Sequence, residues 1–176
     1  MNFYRKLPLP KDMRILGIDP ALKITGYGII EDCDNQLTVV EAGILKTSPK
    51  QELSKRLLTL YQGLDHLIQS NKPDCAVLEK LYVHAHHPIT AYILGQAYGV
   101  SSLVCAQNHL ALFEYPVTRV RKAIIGRGQA SKEQIQRMVF NLLNLIRSSV
   151  CLDVTDALAL AIAHSYISKA KCQVGV

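Results

Sequence analysis

Met13-Arg-Ile-Leu-Gly-Ile-Asp19-Pro20 is the stretch on which the reading of this chain turns. It reads as a strand that becomes apolar after Arg14 and then closes on an acid. A carboxylate at the end of such a run is out of character, because an ionised acid among apolar neighbours needs a donor, a metal or a raised pKa. An Asp before a Pro is also ordinary turn chemistry. Asp19 alone therefore leaves both readings open.

Working outward, Thr25 to Ile30 and Leu37 to Leu45 read as two more strands, joined by short turns rich in Asp, Asn and Gly. The three form an antiparallel meander. From Gln51 to Ser70, Leu53, Leu57, Leu60, Leu64 and Leu67 recur at spacings of three and four, the pattern of an amphipathic helix. Pro73-Asp74 breaks the chain, and Cys75-Ala-Val-Leu78 is a short apolar run suited to a buried parallel strand. Pro88 opens a helix to about Asn108, in which Gly95 and Gly99 predict close approach of another element. Leu110 to Val117 reads as a strand kept short or at an edge by Glu114 and Pro116. A helix from about Thr118 to Ile125 stops at Gly126-Arg-Gly128, and Ser131 with Gln134 has the spacing of a capping box. The last helix runs from about Asp153 to about Lys169. This order predicts an α/β fold, a mixed five-stranded sheet flanked by helices, with residues 13–170 as one domain. Residues 1–12 read as an extension and 171–176 as a tail.

Three more acids repeat the theme of Asp19. Glu79 closes the run Ala76-Val77-Leu78 at a strand's carboxyl end, where active sites of open α/β sheets gather. An exposed Glu79 paired with Lys80 is the plain alternative. Asp153 and Asp156 stand three apart at the start of a helix, so they share a face; capping and the helix dipole explain the same placement. Taken together, two acids on strand ends and two on a helix start can converge on one or two hard cations. Oxygen-only ligation suits Mg²⁺ or Mn²⁺, and a pair of ions suits phosphodiester hydrolysis.

Bulk properties narrow the field. The chain has 176 residues and is 49% apolar, which excludes a disordered tail and leaves room for one cored domain. The apolar run 157–163 is too short to span a bilayer, and residues 1–12 hold no apolar signal core. Five cysteines without metal or redox spacing predict reduced thiols in a cytoplasmic protein. The net charge is +6, and Arg119, Arg121, Lys122, Arg127, Lys132 and Arg137 fall in one segment with only Glu133 opposing them. Such a cluster suits phosphates, although a solvated basic face gives the same pattern.

Several blocks in order resemble the RuvC family of bacterial Holliday-junction resolvases. They are Ile15-Leu-Gly-Ile-Asp19-Pro with Thr25-Gly-Tyr-Gly28, Leu78-Glu-Lys-Leu-Tyr82, Leu94-Gly-Gln-Ala-Tyr-Gly-Val100 and Phe113-Glu-Tyr115. Gly126-Arg-Gly128 with Lys132, and Asp153-Val-Thr-Asp156 running on to His164, complete the series. The resemblance implies an RNase H-like fold, a homodimer, and Mg²⁺- or Mn²⁺-dependent paired nicking of four-way junctions, with a branch-migration motor complex as a further partner. It implies that Asp19, Glu79 and Asp153 are metal-binding acids and Asp156 a fourth catalytic acid. Tyr82 falls where the family has Phe, and an aromatic there suits stacking on an unpaired base. Lys80, Arg119, Arg121, Lys122, Arg127 and Lys132 become candidate DNA-binding residues, Arg121 and Lys132 by position.

Two features depart from the family. Ala21 stands where it has Gly, which would be strained if the turn needs a positive φ. The loop Val83-His-Ala-His-His-Pro88 differs in composition and reads as a polar loop facing DNA, with metal binding by its histidines as the alternative. His164 lies too far along its helix from Asp153 to share a metal and reads as structural. Two rival functions remain at this stage. Actin- and sugar-kinase-like ATPases share the sheet, but Pro20-Ala21 fits their phosphate turn poorly and the chain is short. A junction-binding protein of the same fold with reduced or lost cleavage is the other.

Overall fold

A computed structural model describes residues 12–34, 36–81, 88–146 and 151–174. Tyr82 and the His84–His87 loop lie outside the described residues. The strands are β1 (Asp12–Asp19), β2 (Ile24–Cys33), β3 (Gln36–Lys46), β4 (Cys75–Glu79) and β5 (Ala111–Tyr115). The helices are α1 (Leu53–Asn71), α2 (Pro88–Gln107), α3 (Val117–Ile125), α4 (Lys132–Leu142) and α5 (Leu152–Val174). The five strands form one sheet in the order β3-β2-β1-β4-β5. β1, β2 and β3 pair antiparallel, while β4 runs parallel to β1 and β5 parallel to β4. β5 is an edge strand, as Glu114 and Pro116 led one to expect.

The alternation of side chains divides the core into two layers. Ile15, Ile30, Val77 and Tyr115 face α3, α4 and α5. Leu16, Ile18, Ile29, Ala76 and Leu78 face α1 and α2. The helix stops follow local chemistry. Lys72 ends α1 in the left-handed region (φ 47°), its N–H bonded to Ile68 O, and Pro73 forbids continuation. Gly126 ends α3 the same way at φ 83°. Ser131 and Gln134 exchange the two bonds of the capping box that starts α4.

Three expectations need correction. α5 begins at Leu152, so Asp153 lies inside its first turn and not at the cap, and the helix continues to Val174. β2 extends to Cys33, where Asp32 is buried and its carboxylate takes bonds from Ser165 and Lys169 on α5. That pairing holds a charged residue inside a strand that composition alone would end earlier. Gly95 and Gly99 meet no other element of the chain, and a Cβ at either would stand in open space.

Candidate active site

Asp19 and Glu79 leave the sheet as neighbours. β1 and β4 run parallel with Ile18 opposite Leu78, so the residues that follow emerge side by side at the carboxyl end. The turn after Asp19 is held by Thr25, which is fully buried. Its hydroxyl donates to Ala21 O at 2.6 Å and accepts from Ala21 N–H at 3.2 Å. Ala21 is not among the residues with positive φ, so the strain expected of alanine there does not arise.

The remaining acids arrive on α5, and three glycines let that helix lie on the sheet. A Cβ on Gly17 would stand 1.9 Å from Ala157 O, and one on Gly26 would stand 2.1 Å from Asp153 O. One on Gly28 would meet Leu158 Cδ2 at 2.5 Å. Side chains at these positions would lift α5 and its acids off the strand ends. Further along, α5 is anchored by His164, whose Nδ1 is 2.9 Å from the Tyr115 hydroxyl and whose ring lies 4.4 Å from that of Phe113. Burial pushes the His164 pKa down to about 4, the behaviour of a structural, neutral imidazole.

Asp19, Glu79 and Asp156 line one cavity of about 200 Å³ together with Arg121 and Lys132. A larger hollow of about 530 Å³ shares Asp19 and Glu79 and runs past Lys80, Leu81 and Leu94. Asp153 lines neither, yet its charge acts on both Asp19 and Asp156. Burial, followed by repulsion from Asp156, Glu79 and Asp153, pushes the Asp19 pKa up to about 6. Burial and then Asp156 raise Glu79, opposed by Arg121 and Lys132. Burial raises Asp156 as well, against the ion pair that Lys132 makes with it. Raised carboxylates gathered in a cleft are a common feature of functional sites.

The predicted cations divide into two sets. Arg121, Lys132 and Lys80 share the hollows of the acids. Arg119, Lys122 and Arg127 are exposed and line neither, and Arg119 sits over the Tyr115 ring at 5.4 Å. Sequence reasoning missed that Lys132 is ion-paired to Asp156 at 2.5 Å. It also missed why glycines recur in β1 and β2; the alternation Gly26-Tyr27-Gly28, which puts both glycines on one face, was the available signal.

Among the described residues, no three Asp, Glu, His or Cys side chains are gathered closely enough to form a ready-made metal cage. The acids act on one another as like charges, and Asp156 is engaged by Lys132. The donor set still fits a hard divalent cation: it is all oxygen, Asp19, Glu79 and Asp156 share one cleft, and a cation would relieve the repulsion that adds to burial in raising Asp19.

A mixed sheet in this order, crossed by a helix that brings acids to the ends of two central strands, defines the RNase H-like class of α/β folds. Within that class, the family model described as crossover junction endodeoxyribonuclease RuvC matches residues 15–164. The RuvC of Ralstonia pickettii is 40% identical over 154 residues, covering 88% of this chain and 84% of the relative. That of Legionella pneumophila is 37% identical over 153 residues, covering 87% of each. In structure, Thermus thermophilus RuvC in complex with a Holliday junction substrate superposes with a TM-score of 0.84 at 23% identity. That match covers 91% of this chain and 97% of the other and speaks to the fold. The chain belongs to the RuvC family of crossover junction endodeoxyribonucleases.

Proposed function

We propose that this protein resolves four-way DNA junctions by paired symmetric nicks, with Asp19, Glu79, Asp153 and Asp156 holding two divalent cations, Mg²⁺ or Mn²⁺. The observation that carries this reading is the meeting of three of those acids with Arg121 and Lys132 in one cavity of about 200 Å³. When bound, the cations supply Lewis-acid stabilisation of the attacking and leaving oxygens of the phosphodiester. The chain's own residues do the rest. The acids fix where positive charge gathers, at the end of a rigid sheet. Arg121 and Lys132 neutralise the phosphate that enters beside them, and Lys80 extends that grip along the larger hollow. The apolar walls from Val117, Val120 and Leu160 limit water at the reacting group.

Two copies are needed for two nicks, and α2 supports a homodimer. Ile89, Tyr92 and Leu103 are 75%, 64% and 58% exposed and fall on one side of the helix with Ile93 and Gly99. Gln96, on that same side, keeps its side-chain oxygen from water without a hydrogen-bond partner among the described residues. A two-fold contact through α2 would cover the apolar side chains, and Gly95 and Gly99 leave room for close approach. A branch-migration motor complex is the further partner that family membership suggests.

The experiment is a comparison of Asp19→Asn, Glu79→Gln and Asp156→Asn with the parent on a synthetic junction. Each variant is expected to bind the junction and leave its strands whole. Cutting retained by any one of them removes that acid from the set.

A further inference from the structure

The acid cluster already has a cation. Lys132 Nζ lies 2.5 Å from Asp156 Oδ2, and its charge also acts on Asp19 and Glu79. No other acid–cation contact of this kind is recorded for Asp19, Glu79, Asp153 or Asp156 among the described residues. The backbone beneath the lysine is fixed, because Lys132 is the first residue of α4 and lies within the capping box that Ser131 and Gln134 close. Its side chain is half-exposed, 51% against 27% for Asp156, so solvent lies open beside the ion pair. Lys132 can therefore leave the carboxylate by rotating its side chain, with no change in the fold.

We propose that Lys132 is the built-in counter-ion of the acid cluster, displaced when a divalent cation loads and then presented to a DNA phosphate in the same cleft. This rests on the reading that the acids hold metal. An ammonium on Asp156 Oδ2 and a dication drawn to the same carboxylate repel each other strongly, even on its two different oxygens. The dication brings twice the charge and holds the site, and the half-exposed lysine swings to the nearest anion on offer. In DNA-free protein that anion is solvent chloride or nothing; with DNA it is phosphate. Metal and DNA then strengthen each other, since each stabilises the arrangement in which Lys132 has left Asp156, and the coupling is reciprocal. Without metal, the same ion pair lowers the cost of holding several acids together.

The test is calorimetric titration of Mn²⁺ into DNA-free protein at fixed pH and salt, comparing the parent with Lys132→Gln and Lys132→Arg. Removing the competing charge is expected to tighten Mn²⁺ binding about tenfold, which corresponds to about 1.4 kcal/mol. Lys132→Arg keeps the charge and should stay near the parent. If the parent binds Mn²⁺ and Lys132→Gln binds it no tighter, the inference is overturned while the metal reading stands. If neither binds, both fall. A second measurement needs no variant: reductive methylation of the Lys132 amine, followed by mass spectrometry of the parent protein with and without Mn²⁺. Released from Asp156, the amine should react faster with the metal present; an equal or slower rate overturns the displacement.

Discussion

At the scale of single residues, Asp19 carries the argument. Its carboxyl is held up at about 6 by burial first and by Asp156, Glu79 and Asp153 after that. In the unfolded chain an aspartate titrates near 3.8, so between about 4 and 6 the folded protein holds a proton that the unfolded one has lost. Stability of the metal-free protein therefore falls as pH rises through that window, and the cost persists at neutral pH. Asp19→Asn should melt at a higher temperature than the parent at pH 7 in chelator, and added Mg²⁺ should narrow the difference by stabilising the parent alone. Equal melting temperatures in chelator would mean that the acids do not strain one another. That Asp19 is special could be read from its place at the end of an apolar strand. That Lys132 is bonded to Asp156 could not, since the two are 24 positions apart and meet only because α4 packs on α5.

Among the elements, α5 brings Asp153 and Asp156 to the strand ends by packing against β1 and β2. Ala157, Leu158, Ala161, Ile162 and Ala163 are fully buried, which no surface helix pattern would show. The contact depends on the absence of a side chain at Gly17 and Gly26. Gly26→Ala places a methyl 2.1 Å from Asp153 O, so the helix must move. The expected cost is about 1–3 kcal/mol of stability. Junction cutting should fall by on the order of a hundredfold, because misplaced acids lose their alignment. Denaturant melts and single-turnover cleavage measure the two; a variant that is destabilised yet cuts normally would separate helix position from the chemistry. The elements among the described residues were legible from hydrophobic period and punctuation, α4 by its start alone, because Pro73, Pro88, Gly126 and the Ser131–Gln134 box act locally. The limits of β2 and α5 were not, because Asp32, Ser165 and Lys169 settle them through a contact across the fold.

At the scale of the whole molecule, the exposed apolar side of α2 is the feature a single chain leaves unexplained. Gly95 and Gly99, read from the sequence as places for close approach, meet no other element among the described residues, and periodicity cannot tell an internal partner from a second copy. Tyr92→Lys with Leu103→Lys should give a monomer by light scattering at concentrations where the parent is a dimer, and should uncouple the two nicks. A parent that is monomeric with and without junction DNA contradicts the two-fold account. No helix among the described residues is long and apolar enough to cross a membrane. The basic segment was legible as a whole, but its division into Arg121 and Lys132 inside the cleft and Arg119, Lys122 and Arg127 outside needed the positions of α3 and α4.

The central claim is that this chain cuts branched DNA with metal held by acids on β1, β4 and α5. Its most direct test is incubation with a synthetic mobile four-way junction in Mg²⁺, in Mn²⁺ and in chelator, beside linear duplex of the same sequence. The account predicts paired nicks at symmetric positions in the junction alone, and only with metal. Tight junction binding with intact strands under both metals would contradict it and leave a protein that recognises the branch without resolving it.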